Sequence, residues 1–217
     1  MEYENKKRDY YAVIRQDLIN LIDKDSKNLR VLEIGAAYGE TLFHLKETGI
    51  ASEVVGIDLF EDVENRDNYK KLDKFIFGDI QQLELEEYKN YFDIIILADV
   101  IEHLTEPKPV LEKIKNYLKD DGKLILSIPN IRHYTAIYKI FFKGDFKYED
   151  RGLFDYTHLR FYCKKNIIEL VESASYKIIN TQSSINSVKS KLQTLNKLTF
   201  NLFEEFLSDQ YFLVARK

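Results

Sequence analysis

The chain has 217 residues, enough for one complete domain and few for two, and 45% of them are apolar, so it can fill a sizeable core. Its formal net charge of −4 argues against binding of a long nucleic acid, although a local basic patch is compatible with that balance. Cys163 is the only cysteine, which excludes an internal disulfide, and no apolar run approaches the ~20 residues that span a bilayer.

Short apolar strands alternate with helical patterns in the first half of the chain. Residues 1–28 are predicted to form an N-terminal helical segment, because apolar residues recur at helical spacing between Asp9 and Asp23. A second helix is predicted to begin near Gly39. The predicted strands are Leu29–Ile34, Val54–Ile57, Phe75–Phe77 and Phe92–Ala98. The last of them is an almost unbroken apolar run, which is typical of a strand buried on both faces of a sheet.

The second half of the chain continues this alternation. Pro107 and Pro109 are expected to open a helix whose apolar side consists of Val110, Leu111, Ile114 and Leu118. An Asp121-Gly122 turn then leads into a strand over Lys123–Ile128. The remaining predicted elements are a helix over Lys164–Ser173 and strands over Lys177–Ile179 and Tyr211–Ala215. Together they predict one α/β domain over residues 1–217, with a Rossmann-like, mostly parallel sheet and helices on both faces.

The segment VLEIGAAYG, from Val31 to Gly39, lies at a predicted strand-to-helix junction. Gly35 and Gly39 let the backbone turn tightly and approach a ligand without an intervening Cβ. Glu33, at the carboxyl end of the strand, is an acceptor suited to a cationic amine or a hydroxyl. Asp58 ends the next strand, where a carboxylate can accept hydrogen bonds from both hydroxyls of a ribose. These signals at successive strand ends predict a nucleoside-containing cofactor.

A nicotinamide dinucleotide is the main alternative cofactor, since it also binds after a first Rossmann strand. That class of site requires three glycines at G-x-G-x-x-G spacing to bring a helix N-terminus onto a pyrophosphate. The loop from Gly35 to Gly39 lacks the middle glycine and carries the bulky Tyr38. Glu33 would also lie unfavourably close to a diphosphate, so the sequence does not favour a dehydrogenase.

Four motifs, VLEIGAAYGE, VVGIDL, FGDI and FDIIILADVIEHL, resemble the successive motifs of class I S-adenosylmethionine-dependent methyltransferases. They are similar in particular to the group that contains the ubiquinone-biosynthesis O-methyltransferases and many bacterial sugar and natural-product methyltransferases. The resemblance covers about residues 29–130, with a weaker similarity over 153–162. Ala37 departs from it, because the family loop usually has a second glycine there. The resemblance implies a seven-stranded sheet with an antiparallel last strand, S-adenosylmethionine as cofactor and S-adenosylhomocysteine as product.

The resemblance also assigns cofactor-binding roles by position. It implies Glu33, Gly35 and Gly39 for the methionine portion, Ala36 in the same loop, Asp58 for the ribose, Leu59, Asp79 and Ile80 for the adenine, and Ala98 and Asp99 beside the sulfonium. For Asp79, capping of a helix or turn is the alternative role.

The segment Asp99-Val-Ile-Glu102-His103 follows the fourth predicted strand, at the sheet edge where ligands bind in such folds. If it forms one turn of helix, Asp99, Glu102 and His103 can all face the pocket. A hydroxyl acceptor usually needs its proton removed, and His103 is the first candidate for the general base, with Glu102 and His158 as further catalytic candidates. A purely structural role for these residues is the alternative.

A divalent metal site is a sharper hypothesis for the same segment. The pattern resembles the E-x-x-E-H element of small-RNA 3′-terminal 2′-O-methyltransferases, which coordinate magnesium with a further downstream histidine. Asp99 stands in place of the first glutamate, and His158 in DYTHLRFY is the distant partner. Related E-H-L segments occur in many methyltransferases without a metal requirement, so we do not favour a metal here.

Residues 130–163 are expected to form an acceptor-side lid, as the corresponding segment often does in the family. This segment is rich in aromatic residues, and the alternatives are a core extension, a dimer surface or a patch that rests weakly on a membrane. Three arginines, Arg132, Arg151 and Arg160, are candidates for binding an anionic substrate, with surface solvation equally compatible. Tyr10 and Tyr11 are expected to cover the cofactor or to pack in the core.

The expected activity is direct transfer of a methyl group to an oxygen, less readily a nitrogen, of a small molecule or a sugar or polysaccharide precursor. One alternative is metal-dependent RNA 2′-O-methylation, which predicts a local Lys and Arg interface. The other is a non-catalytic module that keeps the cofactor pocket for stability or partner contact. Because the N-terminus lacks the apolar core of a secretory signal, we expect a cytoplasmic location.

Overall fold

Seven β-strands form one sheet in the computed structural model, which describes residues 13–187 and 191–217. In chain order they are β1 (Leu29–Ile34), β2 (Ala51–Asp58), β3 (Lys74–Phe77), β4 (Phe92–Ala98), β5 (Leu118–Pro129), β6 (Lys177–Ser183) and β7 (Gln210–Arg216). Their order across the sheet is β3-β2-β1-β4-β5-β7-β6. The first five strands are mutually parallel, whereas β7 runs antiparallel to both β5 and β6. The predicted Rossmann-like α/β sheet is confirmed.

Helices connect the strands and cover the sheet. They are α1 (Gln16–Ile19), α2 (Glu40–Glu47), α3 (Pro107–Lys115), α4 (Tyr134–Ile137), α5 (Lys164–Ser173), α6 (Ser184–Ser187), α7 (Lys191–Leu198) and α8 (Glu204–Leu207). Turns of 3-10 helix span Val63–Lys71, Glu86–Tyr88 and Ile101–His103, and α4 continues into a π-helical turn over Tyr138–Phe142. None of the helices in the described part of the chain has the length and apolar character that a membrane span requires.

The core lies on both faces of the sheet, because successive side chains of a buried strand point in opposite directions. On one face, Ile95 and Leu97 of β4 pack in a cluster that includes residues of α3 and α5. On the other face, Ile94 and Ile96 pack in a cluster with residues of α1 and α2. This arrangement explains why β4 has almost no polar position, and it confirms the prediction of helices on both faces.

The N-terminal segment departs from the sequence prediction. Within the described residues its helix covers only Gln16–Ile19, and Tyr10 and Tyr11 lie outside those residues. Val13 and Ile14 are exposed instead of forming part of an apolar helical face. The helix begins late because the Arg15 backbone N–H donates to Thr41 Oγ1, 3.1 Å away, and fixes the preceding chain against α2.

The α3–β5 connection also differs from the prediction. Leu118, expected on the helix, is the first residue of β5, because α3 ends at Lys115. Leu118 pairs with Phe92, whereas Lys123 pairs with Ile94 two residues further along β4. The residues between them, including the predicted Asp121-Gly122 turn, are therefore an irregularity within β5.

Candidate active site

The loop between β1 and α2 requires glycine at two positions. Gly35 and Gly39 have φ values of +73° and +75°, a conformation that residues with a side chain rarely adopt. A Cβ would lie 2.5 Å from Val100 Cγ2 at the first position and 2.4 Å from Leu72 Cδ1 at the second. Ala37 also has a left-handed backbone, with φ +50°, so the loop accommodates its departure from the family pattern.

Asp58, the last residue of β2, accepts a hydrogen bond from this loop. Its Oδ2 accepts a hydrogen bond from the Ala37 N–H at 2.7 Å, and its Oδ1 accepts one from the Phe60 N–H at 2.9 Å. Burial raises the pKa of Asp58, while the backbone N–H donors lower it. A carboxylate has about four acceptor positions, so Asp58 can still accept hydrogen bonds from a vicinal diol. Leu59 follows it with its side chain 53% exposed.

Glu33 places a carboxyl group inside the protein at the carboxyl end of β1. The residue is 3% exposed, and its Oε2 has no hydrogen-bond partner among the described residues. Burial raises its pKa to about 8; Arg15 opposes this shift and Asp58 adds to it. A buried carboxyl oxygen without a partner is a position where a cationic ligand group can be stabilised.

Arg15 is a functional candidate that the sequence analysis missed. Its Nη1 donates to Asp99 Oδ2 at 2.6 Å, and its Nη2 donates to Ser127 Oγ at 3.1 Å and to Gln210 Oε1 at 3.3 Å. Burial disfavours its charge, but Asp99 and Asp17 raise its pKa above the usual value. The guanidinium is therefore permanently charged and largely buried. It lies at the same edge of the sheet as Glu33.

Asp99 connects this cation to the sheet. Its φ is +56°, its N–H donates to Ser127 Oγ at 3.1 Å, and its Oδ1 accepts from Ser127 Oγ at 2.8 Å and from Gln210 Nε2. Asp99 does not share one helical turn with Glu102 and His103, which was the condition under which all three would face the pocket. The 3-10 turn begins only at Ile101, and the left-handed backbone directs Asp99 toward Arg15 instead.

Two histidines lie together just beyond this network, with ring centroids 4.8 Å apart. His103 Nδ1 is 3.0 Å from the Thr157 carbonyl oxygen, and His158 Nδ1 is 3.2 Å from the Leu153 carbonyl oxygen. Because a carbonyl only accepts, each Nδ1 carries a hydrogen, and Nε2 is the unprotonated nitrogen of each neutral ring. The structure thus brings His158 to the end of β4, as the sequence analysis expected.

Glu102 completes this cluster. It is 1% exposed, neither carboxyl oxygen has a hydrogen-bond partner among the described residues, and its Oε1 is 3.9 Å from His158 Nε2. Burial, followed by the charge of Asp99, raises its pKa well above the usual value. One candidate ligand atom each from Glu102, His103 and His158 lie within 4.8 Å of one another. Glu102 is therefore a buried carboxyl group with a raised pKa, and not a solvated carboxylate.

The remaining predicted cofactor residues lie at the same edge. The Gly78 N–H donates to the Asp58 carbonyl at 2.8 Å, which places Asp79 close to Asp58. Asp79 Oδ1 accepts from the Gln81 N–H at 2.8 Å, so this side chain has the turn-capping role that was the alternative. Ile80 is 4% exposed and packs in the core, Ala36 is also buried, and Ala98 is partly buried at the end of β4.

The last part of the expected lid packs directly on the catalytic candidates. The Leu159 and Arg160 N–H groups both donate to the Glu102 carbonyl, at 2.9 and 3.1 Å. The Arg160 side chain donates to two backbone carbonyls, and Arg132 forms an ion pair with Glu205. Of the three arginines considered for anion binding, two are thus occupied by protein partners, whereas Arg151 is exposed.

A family described as Methyltransferase domain matches residues 5–181, which is more than half of the chain. The chain belongs to this family. It carries the methyltransferase domain and shares the fold of solved S-adenosylmethionine-dependent methyltransferases. The family implies S-adenosylmethionine as cofactor, and the site fits that molecule. The glycine loop leaves no room for a Cβ at two positions, and the buried Glu33 Oε2 has no hydrogen-bond partner among the described residues.

One curated protein resembles part of the chain, and solved structures resemble most of its length. The ubiquinone biosynthesis O-methyltransferase of Glaesserella parasuis serovar 5 (strain SH0165) is 28% identical over 109 residues, covering 46% of this chain and 45% of that protein. The chain therefore matches less than half the length of this curated relative.

Two solved structures share the fold. A methyltransferase from Mesorhizobium loti is 14% identical with a TM-score of 0.65, covering 93% of this chain and 96% of that one. The [4+2]-cyclase SpnF is 18% identical with a TM-score of 0.62, covering 93% and 79%. At such identities the likeness shows the fold alone.

Replacing Glu33 with glutamine is expected to stabilise the ligand-free methyltransferase in a pH-dependent way. The pKa of Glu33 rises from 4.5 to about 8 on folding, so its protonated form favours the folded state. That contribution is complete below the lower value and is lost as the pH rises through about 8. Glutamine cannot ionise, so the gain in Tm over the wild type should grow from about pH 5 to about pH 9, to at least about 4 °C.

Differential scanning calorimetry across this pH range measures the effect. The exposed Glu47, converted to glutamine, is the matched control and should show no pH-dependent difference. A constant Tm difference between the Glu33→Gln variant and the wild type would contradict the raised pKa.

Proposed function

We propose that this methyltransferase transfers the methyl group of S-adenosylmethionine to an oxygen of a small molecule or of a sugar or polysaccharide precursor. The observation that carries the proposal is the position of His103. Its Nδ1 is fixed by the Thr157 carbonyl, 3.0 Å away, which leaves Nε2 as the basic nitrogen at the edge where the predicted cofactor residues meet. The Glaesserella parasuis relative is by name an O-methyltransferase, and this similarity supports an oxygen acceptor.

Three charged residues are suited to binding the methionine portion and the ribose of the cofactor. Glu33 would accept from the ammonium group of the methionine portion, because its buried oxygen otherwise has no partner. Arg15 would bind the methionine carboxylate, since it is a largely buried cation at that edge and can share its donors with Asp99. Asp58 would accept from the ribose hydroxyls while the Ala37 and Phe60 N–H groups hold it in place.

The other cofactor roles remain predictions. They concern Gly35, Ala36 and Gly39 in the loop, Leu59, Asp79 and Ile80 near the adenine, and Ala98 and Asp99 near the sulfonium. The hydrogen bond from the Gln81 N–H occupies only one acceptor position of Asp79, so the carboxylate can still accept from an adenine amino group.

The protein's part in the reaction is to position the acceptor and to remove its proton. When bound, S-adenosylmethionine supplies an electrophilic methyl group on a sulfonium. His103 Nε2 would take the proton of the acceptor hydroxyl, whose oxygen would displace S-adenosylhomocysteine from the methyl group. The Thr157 carbonyl then accepts a stronger hydrogen bond from the positively charged ring, which stabilises the protonated base. The lid residues that contact Glu102 exclude water from this position.

Cofactor binding is tested first by thermal unfolding with S-adenosylhomocysteine, S-adenosylmethionine and NAD. We expect both sulfur compounds to stabilise the protein, by ~2.7 kcal/mol at a hundredfold excess over Kd, and NAD to have no effect. Replacement of Arg15 with alanine should weaken S-adenosylhomocysteine binding by about 10- to 100-fold, because a charge-assisted contact to the carboxylate is lost.

Arg151→Ala, at an exposed arginine, is the matched control and should bind normally. Titration calorimetry at a temperature where all variants are folded separates lost affinity from lost stability. Stabilisation by NAD alone would contradict the cofactor assignment, and normal binding by the Arg15→Ala variant would contradict the role of Arg15.

The base is tested by replacing His103 with glutamine. We expect kcat to fall by about 100-fold or more in a screen of hydroxylated acceptors with radiolabelled cofactor, because the ring nitrogen that takes the proton is missing. Binding of S-adenosylhomocysteine should be unchanged. His133→Gln, at a histidine that contacts Thr135 and Tyr134, serves as the control. Full activity of the His103→Gln variant would exclude His103 as the base.

A divalent cation between Glu102, His103 and His158 is a second candidate. The observation that favours it is the buried Glu102 carboxyl group, whose oxygens have no hydrogen-bond partner among the described residues. A cation there would neutralise the charge and could lower the pKa of a bound acceptor hydroxyl. Two imidazoles and one carboxylate suit zinc or manganese better than magnesium, which prefers oxygen ligands.

Thermal unfolding with zinc, manganese and magnesium after EDTA treatment tests this candidate. If a cation binds, we expect manganese or zinc to raise Tm by several degrees in the wild type and by less than about 1 °C in the Glu102→Gln and His158→Ala variants. Equal responses of the wild type and both variants would place the cation elsewhere. No response to any metal would leave Glu102 as a protonated residue of the acceptor pocket.

A further inference from the structure

The most exposed apolar side chains lie in two short segments of the described chain. Phe141 and Phe142, at the end of the π-helical turn, are 79% and 77% exposed. Leu198 and Leu202 are each 74% exposed, and Phe200 between them is 90% exposed. Side chains of this size are normally packed away from water, so their concentration marks an interaction surface.

Residues that flank the two segments contact one another. The Asn130 side-chain amide donates to the Glu205 and Ser208 carbonyls, at 2.7 and 2.8 Å. The Arg132 guanidinium pairs with Glu205 and lies 4.9 Å from the centre of the Phe206 ring. The chain that leads into α4 is thereby attached to the chain that follows α7. We refer to residues 134–143 and 197–203 together as the aromatic edge.

The charge of the aromatic edge has one sign. No Asp or Glu occurs from Gly122 to Gly144 or from Ser173 to Phe203, although the whole chain carries 36 acidic residues and a net charge of −4. Lys143 and Lys197 are exposed at this edge. Of the acidic residues that flank it, Glu204 and Glu205 are paired with Lys164 and Arg132, and the Asp145 carboxylate accepts from the Lys147 N–H. The surface is therefore apolar and basic at once.

We propose that the aromatic edge docks on the surface of an anionic lipid bilayer. Exposed phenylalanine and leucine side chains can enter the boundary between headgroups and acyl chains, while the lysines are attracted to anionic headgroups. Neither contact requires a spanning helix. The docking would hold the expected lid, and with it the acceptor side of the sheet edge, next to the membrane.

The charge distribution favours a membrane over two other occupants. In a two-fold dimer the same patch meets its own copy, so Lys143 and Lys197 would approach lysines of the second chain without an acidic partner in either segment. Single-stranded RNA is held by bases stacked on aromatic rings, and the Leu198 and Leu202 side chains offer no such contact. An anionic bilayer satisfies both the apolar and the basic character of the edge.

Vesicle sedimentation of the full chain tests the proposal. We expect binding to phosphatidylcholine vesicles that contain about a third phosphatidylglycerol, weaker binding to phosphatidylcholine alone, and release at about 0.5 M salt. The double variant Phe141→Ala with Phe142→Ala should reduce partitioning at least about tenfold, and the Phe→Leu double variant should retain it. Lys143→Glu with Lys197→Glu should also reduce it.

Lys89→Glu is the matched charge control, because Lys89 is exposed just before β4, at the opposite edge of the sheet. It should bind vesicles like the wild type, and all variants should keep the wild-type Tm. The proposal is overturned if no vesicle composition binds the wild type. It is also overturned if the wild type forms a dimer in ultracentrifugation that the alanine variant abolishes. Binding of a single-stranded RNA oligonucleotide that displaces the protein from vesicles would overturn it as well.

Discussion

The ion pair between Arg15 and Asp99 joins the N-terminal segment to the carboxyl edge of the sheet. Arg15 Nη1 lies 2.6 Å from Asp99 Oδ2, and both side chains also bind Ser127 and Gln210, so four parts of the chain meet at one point. Removing one partner of a partly buried pair leaves an uncompensated charge, so the segment before β1 is tied to the site by more than packing. The left-handed backbone of Asp99 is the local strain that accompanies this arrangement.

Glu33 and Glu102 differ from this hydrogen-bonded network. Both place carboxyl oxygens in the interior without hydrogen-bond partners among the described residues. An apolar side chain at either position would pack without that desolvation cost. Glu33 is near the carboxyl end of β1 and Glu102 follows β4, so the destabilising groups lie at the edge where sheets of this kind bind ligands. A cationic ligand group or metal at either carboxylate would offset this cost, and the proposals place the cofactor ammonium group at Glu33 and a metal at Glu102.

The sequence predicted the features that depend on local requirements. Such features are the apolar run of β4 and the two glycines with φ +73° and +75°. Once the strands are recognised, the positions of Glu33 and Asp58 at strand ends follow. Arg15 was missed because Asp99 and Gln210 lie 84 and 195 residues further along the chain. Its only local signal is a positive charge within an otherwise apolar-rich segment. The orientation of Asp99 depends on the same distant partners, so local sequence could not show that Asp99 lies outside the helical turn of Glu102 and His103.

The antiparallel direction of β7 affects the order in which the site can assemble. Because β7 runs opposite to β5, its first residue, Gln210, lies at the edge where the parallel strands end. Arg15 and Asp99 leave the ribosome well before Gln210 does, so the nascent chain can build the parallel strands while this polar network is still incomplete. The last hydrogen bonds of this network therefore form late, when the chain folds in the order in which it is synthesised. A chain arrested before β7 would carry the glycine loop and Asp58, but not the full set of contacts that fixes Arg15.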